Sequence, residues 1–108
     1  MRPVIFHPKA RDVIRQFPRE VRNRLGRGLF RLQMGEALEM PQGRPMPSVA
    51  AGVSELRVRG EDGIYRAFYY TTSAQGVLVI HAFMKKTQQT PAHEVALGKI
   101  RLKELLDV

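Results

Sequence analysis

Between Val53 and Met84 the chain carries three strand-like runs whose connections are too short for anything but hairpins, which restricts the fold more than any other feature. Val53 to Arg59 alternates, with Val53, Glu55, Arg57 and Arg59 on one side and Ser54, Leu56 and Val58 on the other. Glu61-Asp62-Gly63 then reads as a hairpin turn. Ile64 to Thr72, "IYRAFYYTT", is rich in aromatic and β-branched residues. After a second turn at Ser73-Ala74-Gln75-Gly76, Val77 to Met84 is the longest apolar strand, expected near the centre of the sheet. Three strands joined in this way form an antiparallel meander, whose apolar residues need helices to cover them.

The flanking segments supply those helices. "RPVIF" (Arg2 to Phe6) reads as a short strand closed by His7-Pro8, and Pro8 suits the first turn of a helix over Lys9 to Gln16. Phe17-Pro18 interrupts it, because the residue before a proline is pushed out of the α region. A second helix over Arg19 to Met34 carries Val21, Leu25, Leu29 and Leu32 as its apolar stripe and stops at Gly35. Residues 36–52 hold three prolines and two glycines and are expected to be irregular. Thr90 reads as the cap of a last helix, with Pro91 at its first position, Glu94 in its first turn, and Val95, Leu102, Leu105 and Leu106 on its buried face. The expectation is an α+β fold of order β-α-α-β-β-β-α. Its small, mainly antiparallel sheet would be packed by helices on one face and partly open on the other. At 108 residues the chain suits one domain, 1–108, with a single core.

Charge narrows the functional classes. Lys and Arg number 18 against 10 Asp and Glu, a net charge of +8, and residues 1–35 alone contribute +7. With a pI near 10.6, a polyanionic partner is expected, nucleic acid first and an acidic protein second. No cysteine is present, which excludes disulfides and thiolate metal sites, and the three histidines (His7, His81 and His93) are too scattered to suggest a metal centre. No apolar run approaches the length of a membrane span, and "MRPVIFHPKARD" lacks the apolar core of a signal peptide, so the cytoplasm is the expected location.

The polar residues inside the strands are the candidate site. Glu55 and Arg57 share a face of the first meander strand. Arg66 lies within the second strand among Tyr65, Ala67, Phe68 and Tyr69, an expensive position for a cation without a partner or a cleft. His81, Phe83 and Lys85 share a face of the third, and Lys86 begins the exit loop. Together they predict a patch of four cations, Arg57, Arg66, Lys85 and Lys86, with one carboxylate and one aromatic ring. Cationic donors hold a phosphodiester and stabilise its pentacovalent transition state, and an aromatic ring stacks an unpaired base. In RNA the 2′-hydroxyl attacks the adjacent phosphorus, so this chemistry calls for no metal or other cofactor. The competing reading of Glu55 is a cross-strand ion-pair ladder in which it neutralises Arg57 or Arg66. His81 reads as a satisfied histidine of the sheet, and Phe83 equally as core or base platform. Arg24, Arg27 and Arg31 share a face of the second helix, either an RNA or partner surface or a solvated stripe.

"SELRVRGEDGIYRAFYY" followed by "HAFMKKTQQTPAHEVALGKIRL" resembles the HigB-like, phage-derived branch of the RelE/ParE toxin superfamily. The resemblance rests on Glu55-Leu56-Arg57, then Tyr65-Arg66, then the run from Phe83 through Lys85-Lys86-Thr87 to Thr90-Pro91. It implies the toxin of a type II toxin–antitoxin pair, whose RelE-like members cleave mRNA in the ribosomal A site without metal. ParE-like relatives instead poison DNA gyrase on a similar scaffold. The expectation is therefore a ribosome-dependent endoribonuclease that inhibits translation. The alternatives are a non-nuclease gyrase inhibitor or a basic RNA- or protein-binding module without chemistry. In the leading reading Arg57 and Arg66 hold the phosphate, Lys85 and Lys86 stabilise charge and the leaving oxygen, and Glu55 is a base or orients Arg57. Phe83 stacks a base, and the implied partner is a cognate antitoxin of helix-turn-helix type. The sequence departs from the branch at Ser54, where an aromatic residue is usual, and has only His93 beyond Lys86 as a C-terminal acid–base group.

Overall fold

The computed structural model describes residues 1–85 and 90–107. Its elements are β1 (Val4–Phe6), α1 (Pro8–Arg15), α2 (Arg19–Gln33), β2 (Gly43–Pro45), β3 (Val53–Gly60), β4 (Gly63–Ser73), β5 (Gly76–Lys85) and α3 (Ala92–Leu106). The meander is present as expected. Gly63 and Gly76 open β4 and β5 with φ of 154° and 140°, a region that only glycine enters without strain. The five strands lie in the order β1-β5-β4-β3-β2. All neighbours are antiparallel except β1, which pairs in parallel with β5, Val4 opposite Val77.

β5 is interior, as its composition predicts, and carries apolar residues on both faces. A register shift between Phe68/Tyr69 on β4 and their partners leaves Ile80 as an extra residue, a β-bulge. Below the bulge Val77 and Val79 face one core while Leu78 and Ile80 face the other. Beyond it the parity changes, so Ala82 joins the first core and Phe83 the second. The bulge thus aims His81, Phe83 and Lys85 to the same side as Phe68 and Arg66, their neighbours on β4.

The two cores correct one expectation, that the helices cover a single face. Val13 and Ile14 of α1 and Val21, Leu25, Leu29 and Leu32 of α2 pack with Leu56, Val58, Tyr65 and Ala67. Leu102, Val95 and Leu105 of α3 pack on the opposite face with Met46, Val49, Phe68, Leu78 and Ile80. A sheet apolar on both sides needs cover on both. Glycines allow the close approach: a Cβ on Gly28 would sit 2.9 Å from Leu56, and one on Gly98 2.9 Å from Phe68.

Three local expectations also change. Within 36–52, β2 pairs with β3, Arg44 opposite Glu55, so tertiary pairing makes a strand where composition showed only breakers. Pro91 rather than Thr90 occupies the N-cap of α3, and Leu106 is exposed at the helix end, with Gly98 instead on the buried face. His7 caps α1 by accepting from the Lys9 N–H at 3.2 Å, and its other ring nitrogen meets Glu104 of α3 at 2.8 Å.

Candidate active site

The site lies on the α3 side of the sheet and is assembled by strand register. Arg57 is opposite Arg66, which is opposite Phe83; one step away, Arg44, Glu55, Phe68 and His81 form a parallel row. Arg57 and Arg66 as direct neighbours would repel each other. Glu55 offsets this from the adjacent row: Arg66 Nη1 donates to both of its oxygens at 3.3 Å, and Arg57 Nε lies 3.5 Å from Oε1. Glu55 and Arg66 have no exposed surface, whereas the Arg57 side chain keeps 18%. Buried charges persist only when paired, and Glu55 is paired twice. The ion-pair reading of Glu55 is therefore realised in the geometry. Arg66 also reaches Thr90 Oγ1 at 3.5 Å, tying the sheet to the entry of α3.

Further cations gather beside this pair. Lys85 is 6% exposed, and its Nζ has no hydrogen-bond partner among the described residues. Burial lowers its pKa from the ordinary lysine value, and the charge of Arg66 lowers it further, with Glu55 and Glu94 pulling the other way. A lysine moved in this direction exchanges a proton more readily than a surface one. Lys86 lies outside the described residues. Arg44 is a further cation that the sequence reading passed over: half-buried on β2, it also bears on Lys85. It stood in a stretch read as irregular, and only its register opposite Glu55 gives it meaning.

Of the two readings of Phe83, core residue or base platform, its burial matches the first. It is 7% exposed, edge-on to Phe68 at 5.5 Å and beside His81 at 5.4 Å, within the second core. His81 is satisfied, as read. Arg101 Nη1 approaches its Nδ1 at 2.5 Å and Glu94 Oε1 its Nε2 at 2.7 Å. Because a guanidinium only donates, Nδ1 must accept and Nε2–H must donate to Glu94. Burial lowers the His81 pKa from its usual value, against the opposing effect of the Glu94 hydrogen bond. His93 is a largely exposed side chain 3.6 Å from Glu94.

Arg24, Arg27 and Arg31 lie on α2, across the sheet from this network. Arg27 is exposed, and Arg31 bonds to Glu36 at 3.1 Å and to Gln42 at 2.9 Å. Arg24 instead reaches round the sheet edge and donates to the Arg59 carbonyl at 2.6 Å. There, where β2 has ended and β3 has an open edge, Arg24, Arg57 and Arg59 share a pocket of about 290 Å³. Arg57 belongs both to this pocket and to the Glu55 network.

Residues 12–103 match the family described as Phage derived protein Gp49-like (DUF891). The chain belongs to the Gp49-like family. This phage-derived family is part of the RelE/HigB-type toxin group, and the match spans every candidate site residue from Arg24 to Lys86. The α+β architecture of three helices and a mostly antiparallel five-stranded sheet is compatible with the RelE-like fold. No curated protein matches the chain. No helix among the described residues is long and apolar enough to cross a membrane.

Proposed function

We propose that this Gp49-like protein is a toxin that cleaves mRNA on the ribosome, acting in the cytoplasm, with a helix-turn-helix antitoxin as its partner. The observation that carries this reading is the concentration of cations at Glu55: Arg57, Arg66, Lys85 and Arg44 gather there, with Glu55 and Glu94 as the carboxylates acting on Lys85, and connect through Arg57 to an arginine-lined pocket. Such a cluster suits a phosphodiester, and membership in a toxin group gives the phosphodiester a cellular source. Arg57, with exposed surface, holds the phosphate. Arg66, fully buried, positions Glu55 and Arg57 and adds fixed positive charge. Lys85 and Lys86 stabilise the developing charge and the leaving oxygen. The substrate 2′-hydroxyl loses its proton and attacks phosphorus, the bond to the 5′-oxygen breaks, and that oxygen takes up a proton. The products are a 2′,3′-cyclic phosphate and a 5′-hydroxyl end.

The test is induced expression followed by primer extension on a reporter mRNA, with Arg57→Ala as control. Cut transcripts appearing before any DNA damage, and lost in the variant, are the expected result. Removing one transition-state donor typically lowers the rate roughly 100- to 1,000-fold. Intact transcripts together with trapped gyrase–DNA complexes would replace this reading with the gyrase-inhibitor one.

A further inference from the structure

The pocket at the open edge of β3 joins the two faces of the sheet. Arg57 and Arg59 alternate with Val58 and so share one side of β3, whereas Arg24 comes from α2 on the other. Arg24 Nη1 donates to the Arg59 carbonyl at 2.6 Å, so its guanidinium stands at the edge itself rather than over α2. Pro41 and Ile64 give the pocket of about 290 Å³ an apolar wall. Among the described residues no carboxylate lines it, and neither Arg24 nor Arg59 is in an ion pair. Guanidiniums without a carboxylate keep donors for an incoming anion. Two hydrogen bonds favour an anion there over an added strand. The Arg57 N–H already donates to the Gln42 carbonyl at 2.8 Å. The Arg59 carbonyl, which faces the same edge, is the acceptor a further strand would use, and Arg24 occupies it. The cationic path also ends there. The adjoining concavity shares Arg24 and Arg59 but is lined beyond them by Glu20, Glu61 and Asp62, which repel a phosphate.

We infer that Arg24 and Arg59 form a second phosphate subsite, holding the phosphodiester next to the one at Arg57 where the RNA strand passes over the edge of β3. The strand leaves the protein there, because the carboxylates beyond Arg59 turn the next phosphate away. Arginine contacts to backbone phosphate carry no sequence information, so the subsite binds every sequence alike. Of the stripe Arg24, Arg27 and Arg31, only Arg24 takes part. Arg31 is engaged by Glu36 and Gln42, and Arg27 lies outside the pocket. The subsite rests on the RNA-cleaving reading for its biological meaning, but its binding is measurable without cleavage.

The experiment uses the full chain and a short fluorescent RNA of mixed sequence, 2′-O-methylated throughout so that it cannot be cut, titrated by anisotropy over a range of salt concentrations. Arg24→Gln and Arg59→Gln should each weaken binding roughly tenfold, the scale of one charge-assisted hydrogen bond. The two together should lower the slope of log affinity against log salt by about 0.7, the value of one single-strand phosphate contact. Arg27→Gln removes the same charge from the same helix and should stay within about twofold of the parent, since a charge outside the contact is screened. Equal losses in all three variants would mean a general effect of net charge and would overturn the subsite. Circular dichroism checks folding, and Arg59→Gln, which keeps the carbonyl that Arg24 holds, carries the test if Arg24→Gln unfolds. Unchanged RNA affinity in both pocket variants, or no binding by the parent, would also overturn the subsite while leaving mRNA cleavage intact. If the pocket variants instead weaken binding of a labelled polyglutamate peptide and leave RNA binding untouched, the pocket belongs to an acidic protein partner. The expected losses without any cut mRNA from the parent would keep the subsite and remove the nuclease reading.

Discussion

Removing the charge of Glu55 should destabilise the fold far more than a typical polar substitution. In Glu55→Gln the carboxylate between Arg57 and Arg66 disappears, although the two guanidiniums remain opposite each other across the β3–β4 pair. Glu55 and Arg66 have no exposed surface, so water cannot take over the role of the lost charge at that end. Breaking a buried pair from one side costs about 3–5 kcal/mol, against a total stability of roughly 5–15 kcal/mol for a small domain. At roughly 4–8 °C per kcal/mol, the lower figure already lowers Tm by roughly 12–24 °C. Thermal and urea unfolding would measure it. The same physics makes a second, sharper statement. Replacing Glu55 together with its fully buried partner, Glu55→Leu with Arg66→Met, exchanges the buried pair for apolar packing of similar volume and should recover part of the loss, the partly exposed Arg57 turning to water. The double variant should be folded and inactive, separating structure from chemistry. If Glu55→Gln unfolds within about 1 kcal/mol of the parent, or if the double variant is no more stable than the single one, the buried network does not support the fold as argued.

Other consequences are as direct. Lys85→Met, which removes a buried ammonium without a hydrogen-bond partner among the described residues, should gain on the order of 1 kcal/mol in stability and lose mRNA cleavage, a trade expected at functional sites. Lys85→Arg should fail in the cleavage assay as well, because a broad planar fork does not fit where a compact ammonium is enclosed. His81 is held neutral by burial, with Arg101 and His93 opposing its protonation and Glu94 favouring it. Its folded pKa is therefore below the ordinary 6.5, and the unfolded chain takes up the proton first. The stability due to neutral His81 is complete above about pH 6.5 and falls as pH drops below it; urea unfolding between pH 7 and 5 should show this slope, flattened in His81→Gln. Gly26→Ala should stabilise by about 0.5–1 kcal/mol, since an added Cβ meets nothing within 4 Å. Gly98→Ala should destabilise despite the same gain in helix propensity, since its Cβ would press on Phe68 and Val49 at 2.9 and 3.1 Å.

Much of the architecture was legible in the chain because its signals are local. Alternation in Val53 to Arg59, the glycines at Gly63 and Gly76, the proline at Pro8 and the three- and four-residue stripe of α2 each act within a few residues. Local sterics and periodicity therefore determined the meander and the order of every element except β2. The pairing of Glu55 with the arginines was also readable, since residues two apart on a strand share a face and a hairpin brings the next strand beside them. What only the tertiary structure decided depends on contacts between distant segments. β2 exists because β3 offers it an edge, and this alone makes Arg44 part of the site. α3 crosses to the second face because β5 is apolar on both sides, and its docking encloses Phe83 and gives His81 the partners Glu94 and Arg101. The bulge at Ile80 changes the parity of β5, which no simple alternation can announce. Burial, which separates a buried Arg66 from a reachable Arg57 on the same face, is a property of the whole packed molecule and is written in no single stretch of it.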